Sequence, residues 1–242
     1  MRAVAINVGA NTNEPGFRGP VRADGTFEYV PIPESEPTAE PVPTYGDLAP
    51  HLDVPIPESI HGTPVHLDPS FAGYPCCDRY TYGDDHGVKA RPILELDAGD
   101  VLLFYATLTT APDDPPSWMP PDWGAYLVGA FELDGPPVPG SEYASLSPGE
   151  RARFAGNAHL RREPMDAAVL VAGTDRSRLF DRAVPLSEPT AGVDPNDLVT
   201  DLSSDSGKGP WWRRPLRFEG EAAATLLARC GFGTTEQNRE SV

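Results

Sequence analysis

Lysine is almost absent from this 242-residue chain, and its scarcity affects how the charge is interpreted. Lys89 and Lys208 are the only two lysines, and 36 Asp and Glu against 19 Lys and Arg give a net charge of −17. Such an acidic molecule repels phosphate, which excludes duplex DNA binding through a basic surface. An acidic, lysine-poor composition is also typical of proteins from salt-accumulating halophiles, which is the interpretation we favour. In about 1 M salt the Debye length is only ~3 Å, so a local arginine cluster can still bind phosphate.

Cysteine is scarce as well, and long apolar runs are lacking. Three cysteines, two of them the neighbours Cys76 and Cys77, cannot form a disulfide framework and fit a reducing compartment. No apolar stretch approaches the roughly 18 to 20 residues that a membrane span needs, and residues 1–4 begin a strand pattern, not a signal peptide. These absences predict a cytoplasmic protein with no membrane partner.

The apolar residues that are present suffice for a folded core. They make up 39% of the chain, with aromatic residues along its whole length, which excludes a disordered acidic chain. We predict one domain over residues 1–233, followed by a polar tail at 234–242. Glycine (23) and proline (29) are abundant, so loops should be long. Eleven prolines fall in residues 31–75 and eight in 112–139, where we expect extended coil packed on the core, or lids.

Apolar periodicity predicts more strands than helices. Strands are expected at residues 2–8, 27–30, 93–96, 101–108, 124–133, 167–172 and 216–218. Helices are expected from Ser147 to Phe154 or Asn157, at 177–182, from Asp194-Pro195 onward, and at 219–230. Gly129, in the middle of a strand, indicates a bulge or a barrel bend.

This pattern predicts an α+β fold built on a small, mostly antiparallel, partly open β-barrel with peripheral helices and long Pro/Gly-rich loops. The segment LELDAGDVLLFYATL, followed by YLVGAFEL, resembles the core hairpin of PUA, ASCH and EVE-like barrels. In those barrels a Gly-Asp turn leads into a strand whose partner carries a central glycine.

Metal-binding and nucleotide-binding motifs are lacking. His61, His66 and Asp68, with Asp84 and His86 further on, have spacings that a metal site can use. The chain has no HxH, HExxH or CxxC, and five histidines scattered through loops produce such spacings by chance. We therefore expect no protein-bound metal. Walker and GxGxxG spacings are also absent, which excludes the common nucleotide-binding loops.

Two segments near the N-terminus carry polar side chains beside predicted strands. Asn11 and Arg18 lie in the loop after the first strand, where backbone N–H groups and a guanidinium could face an anion. A simple Asn/Gly turn with a surface arginine is the alternative. Glu28 lies between Phe27 and Tyr29, so it is either exposed on a strand edge or held by an arginine inside a pocket.

Three later segments combine donors with aromatic or titratable groups. Residues 157–162 form the densest local set of donors, and His159 among them is the best general acid or base, unless it is structural. Ser177 and Arg178 could hold an anion at a helix start, or Ser177 could simply cap that helix. Trp211 and Trp212, followed by two arginines, could stack a base beside a phosphate, or pack into the core.

Taken together, these segments resemble one family over about residues 2–220. The segments INVGANTN, DGTFEYVPIPE, VHLDPSF, TYGD, NAHLRR and VAGTDRSRLFDRAVPLS are similar to the nucleotide modification associated domain 3 (Nmad3) family. FEYVPIPE and TYGD are the most specific, because secondary structure does not dictate their residue types. The polar residues of the family's motifs correspond here to Asn11, Arg18, Glu28, Glu34, His66, Asp68, Tyr82, Asp84, Asn157, His159, Arg161, Ser177 and Arg178. The chain departs from the family pattern at residues 72–79 and 112–121, which the resemblance implies are loop elaborations at the rim of the site.

The family is linked with systems that hypermodify DNA bases, so the resemblance implies a protein that modifies or recognises a nucleotide or DNA base in a pocket at one mouth of the barrel. Glu28, Asp68 and Asp84 would then contact base edges or move protons, and His159 would act as acid or base. Arg18, Arg161 and Arg178 would hold phosphate, with Asn11, Tyr82, Asn157, Ser177, Trp211 and Trp212 completing the binding site.

These residue types suit group transfer or hydrolysis better than redox chemistry, and no cofactor is indicated. Two alternatives remain at this point. One is a non-catalytic PUA-like reader of modified nucleic acid. The other is an accessory module that binds companion enzymes of a modification or defence system.

Overall fold

The computed structural model describes residues 1–204 and 208–232, so the predicted polar tail at 234–242 lies outside the described residues. The strands are β1 (Arg2–Asn7), β2 (Pro20–Val21), β3 (Ile32–Pro33), β4 (Val65–His66), β5 (Thr81–Asp84), β6 (Val101–Thr110), β7 (Trp123–Glu132), β8 (Val138–Pro139), β9 (Val169–Ala172), β10 (Arg178–Pro185), β11 (Ser187–Glu188), β12 (Ala191–Pro195) and β13 (Leu216–Glu219). The α-helices are α1 (Tyr45–Leu48), α2 (Gly87–Leu94), α3 (Pro148–Ala152), α4 (Ala158–Arg161), α5 (Asp197–Thr200) and α6 (Gly220–Arg229). Short 3₁₀ helices lie at Ala49–His51, Glu58–Ile60, Gly140–Ser145 and Trp211–Arg213.

The largest sheet has the strand order β10-β7-β6-β1-β13, and β2 pairs with one end of β6. Strands β1 and β6 run parallel, whereas β13, β7 and β10 pair antiparallel with their neighbours. A second, antiparallel sheet has the order β5-β9-β8. The pairs β3-β4 and β11-β12 are separate two-stranded ribbons. The architecture is therefore α+β with mostly antiparallel sheets, as predicted.

Both faces of the largest sheet are buried, which explains the near-continuous apolar runs in β6 and β7. On one face, Phe104 and Phe131 pack edge-to-face against Phe71, with ring centroids 5.5 and 5.3 Å apart. Tyr82 of β5 lies 5.5 Å from the Phe104 ring and joins the second sheet to the same core. This face therefore positions β5, which carries residues of the site described below.

The opposite face is covered by the C-terminal helix. Leu103 and Leu127 of the sheet share a core with Leu226 and Leu227 of α6. The helix ends at Arg229, and Gly231, which follows the cap residue Cys230, has a φ of 59° that suits a glycine at a helix C-terminus. Helix α6 confirms the predicted helix at 219–230. Among the described residues, no helix combines the length and apolar character that a membrane crossing requires.

Three of the predicted elements are wrong, and a fourth begins later than predicted. Residues 93–96 complete helix α2 and its cap and form no strand, because a short apolar run fits either a buried strand or a helix end. Residues 177–182 contribute to β10 and form no helix, since Arg178 and Leu179 pair with β7. The strand predicted at 27–30 is absent, and only Phe27 there makes an isolated bridge. The helix predicted from Asp194-Pro195 onward begins later, because strand β12 continues to Pro195 and Asn196 caps α5.

The predicted partly open barrel is not confirmed, and the described residues contain no closed barrel. The largest sheet stays open, with β10 and β13 as its outer strands. The second sheet and α6 cover its two faces. The PUA-like architecture is not confirmed.

The predicted bulge at Gly129 is confirmed. Phe104 of β6 faces Gly129, but the next residue, Tyr105, faces Leu127, so Val128 is the extra residue in β7. A Cβ atom on Gly129 would lie 2.6 Å from the Phe71 ring and 2.9 Å from the Arg178 carbonyl oxygen. Only a glycine allows the ring and the neighbouring strand to approach this closely.

We expect Gly129→Ala to lower the free energy of unfolding by about 1–3 kcal/mol, the usual cost of overpacking a core. Urea denaturation at neutral pH measures this effect. Gly149→Ala is the matched control, because Gly149 lies in α3 with no atom within 4 Å of the added methyl group. Equal stability of the two variants would contradict the proposed close packing.

Candidate functional site

A polar cleft of about 310 Å³ opens where the loop after β1 meets β4, β5 and α4. Its lining includes Asn7 of β1, His66 of β4 and Tyr82 of β5. Gly9 has a φ of 78°, and a Cβ atom there would lie 3.0 Å from the Tyr29 ring and 3.2 Å from the Val30 carbonyl oxygen. This volume lies within the range of ligand-binding pockets.

Asp68 lies at the buried floor of the cleft. The Gly83 backbone N–H donates to both carboxylate oxygens, at 2.9 and 3.2 Å, and Asn157 Nδ2 donates at 3.0 Å. Burial raises the pKa of the Asp68 carboxyl well above its ordinary value, the hydrogen bond from Gly83 opposes this, and the nearby Asp84 adds to it. Such a carboxyl group is costly to ionise unless a cation is close.

Two histidines stand over Asp68. The rings of His66 and His159 meet edge-to-face with centroids 4.8 Å apart. His66 Nε2 lies 3.9 Å and His159 Nε2 3.6 Å from Asp68 Oδ2. Burial lowers the pKa of His159, and the neighbouring His66 lowers it further, so His159 is neutral near pH 7. These three side chains, from β4, the loop after it and α4, form the centre of the site.

Each histidine is held on its far side by a carboxylate. His66 Nδ1 lies 2.6 Å from Glu34 Oε2, and His159 Nδ1 lies 2.8 Å from Asp166 Oδ1. Arg162 joins the two carboxylates, since its guanidinium pairs with Glu34 at 2.9 Å and with Asp166 at 2.6 Å. An ionised carboxylate has no proton to give, so Nδ1 of each ring donates to its carboxylate, and Nε2 of each ring faces Asp68 and the cleft.

The short distance between β5 and α4 depends on a glycine. A Cβ on Gly83 would lie 2.9 Å from His159 Cδ2 and 3.0 Å from Asn157 Oδ1. Asn157 is fully buried, caps α4 by accepting from the His159 N–H at 3.1 Å, and donates to Asp68. One asparagine therefore positions both the histidine and the aspartate of the site.

Asp84 lies at the side of the cleft with its oxygens largely engaged. Tyr82 Oη donates to Asp84 Oδ2 at 2.6 Å, and the His86 backbone N–H donates to Oδ1 at 2.7 Å. The Lys89 ammonium lies 3.3 Å from Oδ2 and brings one of the two lysines of the chain into the cleft. Asp84 thus orients Tyr82 and Lys89, and its predicted role in proton transfer stays a prediction.

The predicted phosphate-binding arginines do not meet in this cleft. Among the described residues that line it, Arg162 is the one arginine, and its guanidinium is engaged by Glu34 and Asp166. Arg161 is outside the lining, and Arg178 lies in another depression, where it donates to the Gly231 carbonyl and stacks 5.0 Å from Phe232. The acidic lining repels phosphate.

Two further predicted residues lie elsewhere. Ser177 is buried beside Arg178 in that second depression. Glu28 is outside the cleft, accepts from the Asp53 N–H at 3.1 Å and lies 3.8 Å from Arg22. Burial raises the pKa of Glu28, and the hydrogen bond from Asp53 opposes this. The structure therefore separates these two residues from His159.

A groove next to the cleft contains other predicted binding residues. It is lined by Arg18, Thr107, Trp212 and Arg213, and it shares Asn7, Asn11 and Glu14 with the cleft. The Arg18 guanidinium stacks 4.7 Å above the Trp123 ring and has no carboxylate partner among the described residues.

Trp211 cannot stack a base as predicted. It is only 7% exposed, and its Nε1 donates to the Val193 carbonyl at 2.7 Å. It packs under α6, so the alternative core role is the one that the structure shows. Trp212 is half-buried and packs edge-to-face on Trp123, with ring centroids 5.5 Å apart, beside Arg18.

The structure thus brings together one part of the predicted site. Asn11, Asp68, Tyr82, Asp84, Asn157 and His159 meet in or under the cleft. The sequence analysis did not single out Asn7, Lys89 or Asp166, and it included Arg162 only within the donor set at residues 157–162. The sequence analysis expected no protein-bound metal, yet one ligand atom from each of His66, Asp68 and His159 lies within 4.8 Å of the others. The spacing of residues 66 and 68 was the available signal, but the third residue lies 91 positions further on.

The fold and the site define an α+β protein with a polar cleft of ligand size. The chain belongs to the nucleotide modification associated domain 3 family, because the model of that family matches residues 2–228. Searches among curated proteins and among solved structures returned no match. Membership of this family indicates a role in nucleotide modification.

The Glu34 carboxylate gives a testable pH dependence. Burial would raise the pKa of Glu34, but hydrogen bonds from His66, Arg162 and the Glu36 N–H outweigh it and lower the pKa from 4.5 to about 2. A carboxylate whose pKa is lower in the folded state stabilises the fold above its unfolded pKa and loses this contribution as the pH falls through the folded value. We expect Glu34→Gln to cost on the order of 3 kcal/mol at pH 6, and much less at pH 2.

Urea denaturation between pH 6 and 2 measures this difference. Glu28→Gln is the control with the opposite sign, because the pKa of Glu28 is raised and its ionised form is the unfavourable one. A difference between the wild type and Glu34→Gln that stays constant over this range would contradict the proposed charge network.

Proposed function

We propose that this protein modifies the base of a nucleotide or of DNA, with the base held in the cleft. One observation carries the proposal: in a chain of the Nmad3 family, His66, Asp68 and His159 meet at the floor of a ligand-sized cleft. Two Nε2 atoms and a carboxylate there face the same space. Such groups perform chemistry either by accepting a proton or by holding an electrophile.

The polar lining suits a base better than a phosphate. Asn7 and Asn11 offer amide donors and acceptors, which match the edges of nucleobases. Asp84 and Asp85 add negative charge that repels a phosphate and attracts amino groups. The phosphate is then expected outside the cleft.

The neighbouring groove supplies a place for that phosphate. Arg18 lies there without a carboxylate partner and is held in place by stacking on Trp123 and by a 3.3 Å hydrogen bond to Thr107. A guanidinium held in this way binds phosphate with two parallel hydrogen bonds. Because the groove and the cleft share Asn7 and Asn11, one nucleotide can span both.

The base-modification role is tested in cells by mass spectrometry of nucleosides from native DNA. We expect deletion of the gene to remove or change one modified nucleoside, wild-type protein to restore it, and Asp68→Asn to reduce its level at least about 100-fold, because general acid–base groups typically contribute that much. Asp175→Asn, in the depression that contains Ser177, is the matched control and should restore the nucleoside fully.

A nucleoside profile that deletion leaves unchanged would overturn the modification role. If the purified protein nevertheless binds modified DNA, the result would support a non-catalytic reader, the function that a PUA-like fold would favour. Binding of neither nucleotides nor DNA would leave a role as an accessory module for companion enzymes.

The role of Arg18 is tested by comparing a nucleotide with its nucleoside. We expect Arg18→Ala to weaken nucleotide binding about 10-fold or more, as for loss of a hydrogen bond to a charged group, and to leave nucleoside binding unchanged. Calorimetric titration of the purified protein measures both affinities. Arg176→Ala removes the same charge near Glu132, away from the groove, and should leave both unchanged. An equal loss for nucleotide and nucleoside would contradict a phosphate contact.

A further inference from the structure

The three central side chains lie close together without a hydrogen bond between them. His66 Nε2 and His159 Nε2 lie 3.9 and 3.6 Å from the same oxygen of Asp68, and one ligand atom from each residue lies within 4.8 Å of the others. Contacts at 3.6–3.9 Å are too long for hydrogen bonds. They match two ligands of one cation, because ligands at about 2.0–2.2 Å from a metal ion are roughly 3–4 Å apart.

The far sides of both rings are arranged as in metal-binding histidines. Nδ1 of His66 donates to Glu34, and Nδ1 of His159 donates to Asp166. A metal-binding imidazole commonly donates its other N–H to a carboxylate in this way, which fixes the tautomer and aims the free nitrogen at the ion. Arg162 fixes both carboxylates, so the two nitrogens are oriented before any ligand arrives.

Nε2 of His66 and Nε2 of His159 make no hydrogen bond within the described residues. Both histidines are only 4% exposed, and within residues 1–204 and 208–232 their side-chain hydrogen bonds all involve Nδ1. Neither Nε2 is among the described buried atoms that lack a partner, because both residues line the open cleft. Two ring nitrogens and one carboxylate oxygen that face the same open space can all bind one ligand there.

We propose that His66, Asp68 and His159 bind one divalent first-row transition metal ion of the Zn²⁺ or Fe²⁺ class. Two imidazoles and one carboxylate favour such ions over Mg²⁺ and Ca²⁺, which prefer oxygen ligands alone. Three protein ligands are typical of catalytic metal sites, which keep positions open for water or substrate. All three ligands line the cleft, so those open positions face the space where the base is proposed to bind.

A second group of possible ligands, Asp84, Asp85 and His86, is a weaker candidate. The Asp84 oxygens already accept from Tyr82 and the His86 N–H and face the Lys89 ammonium. His86 and Asp85 are exposed and paired with each other through the His86 Nδ1. A cation there would have to displace these partners.

The experiment is a titration of chelator-treated full-length protein with Co²⁺ and with Zn²⁺, without any nucleotide. We expect one ion per chain, with Co²⁺ giving the visible absorption bands of a nitrogen- and oxygen-ligated site. His66→Ala and His159→Ala should each weaken binding at least about 100-fold. Asp166→Asn keeps all three ligands and should weaken it about 10–100-fold, the usual effect of an outer hydrogen-bond partner. His86→Ala should leave the affinity within about twofold.

Absence of stoichiometric binding by the wild type would overturn the inference even if the alanine variants fail to fold. Binding that survives in both folded alanine variants, or that His86→Ala abolishes, would overturn it as well. The inference goes beyond the proposed function. The metal titration and the nucleoside mass spectrometry are independent measurements. Nucleotide binding without metal binding would refute the metal site alone, whereas metal binding with an unchanged nucleoside profile would refute the base-modification role alone.

Discussion

The contact between Arg162 and the two carboxylates of Glu34 and Asp166 is the interaction on which the site depends. It joins residues 128 positions apart in the chain and lies directly behind the two histidines. Buried charges need partners, and here each partner also holds an imidazole. Apolar residues of the same size could fill this space, but they would leave both rings free to rotate. The network therefore acts mainly through orientation, since it decides which nitrogen of each ring faces Asp68.

The central sheet and the site have separate roles. Both faces of the sheet are covered by apolar cores, and its strands contribute only Asn7 to the lining of the cleft. The other lining residues come from segments attached to the sheet, such as β4, β5 and α4. Tyr82 shows how they are attached, since its ring packs on Phe104 of the core while its hydroxyl holds Asp84. A rigid scaffold thus supports an elaborate polar site that lies beside it.

The sequence predicted those parts of the structure that local patterns determine. Strands β1, β6 and β7 and helix α6 followed from apolar periodicity, and the bulge followed from Gly129. Residues 177–182 were misassigned, because pairing with β7 overrides the local preference of that segment. His159 and Asp68 were recognised separately, but their convergence with His66 depends on how three distant segments pack. Arg162 could not be distinguished from Arg161 by sequence, since only the fold shows which of the two faces Glu34.

The proline-rich segment at 31–75 has a meaning beyond that of an irregular loop. It carries Glu34, His66 and Asp68, and it is closed on itself by the β3-β4 pairing and by the Tyr45 hydroxyl, which donates to the Pro31 carbonyl at 2.8 Å. Eleven prolines restrict the unfolded form of this segment, so ordering it costs less conformational entropy than for a loop of average composition. The site thus rests on a segment whose unfolded form is already restricted. We therefore expect the segment to open together with the whole molecule and not ahead of it.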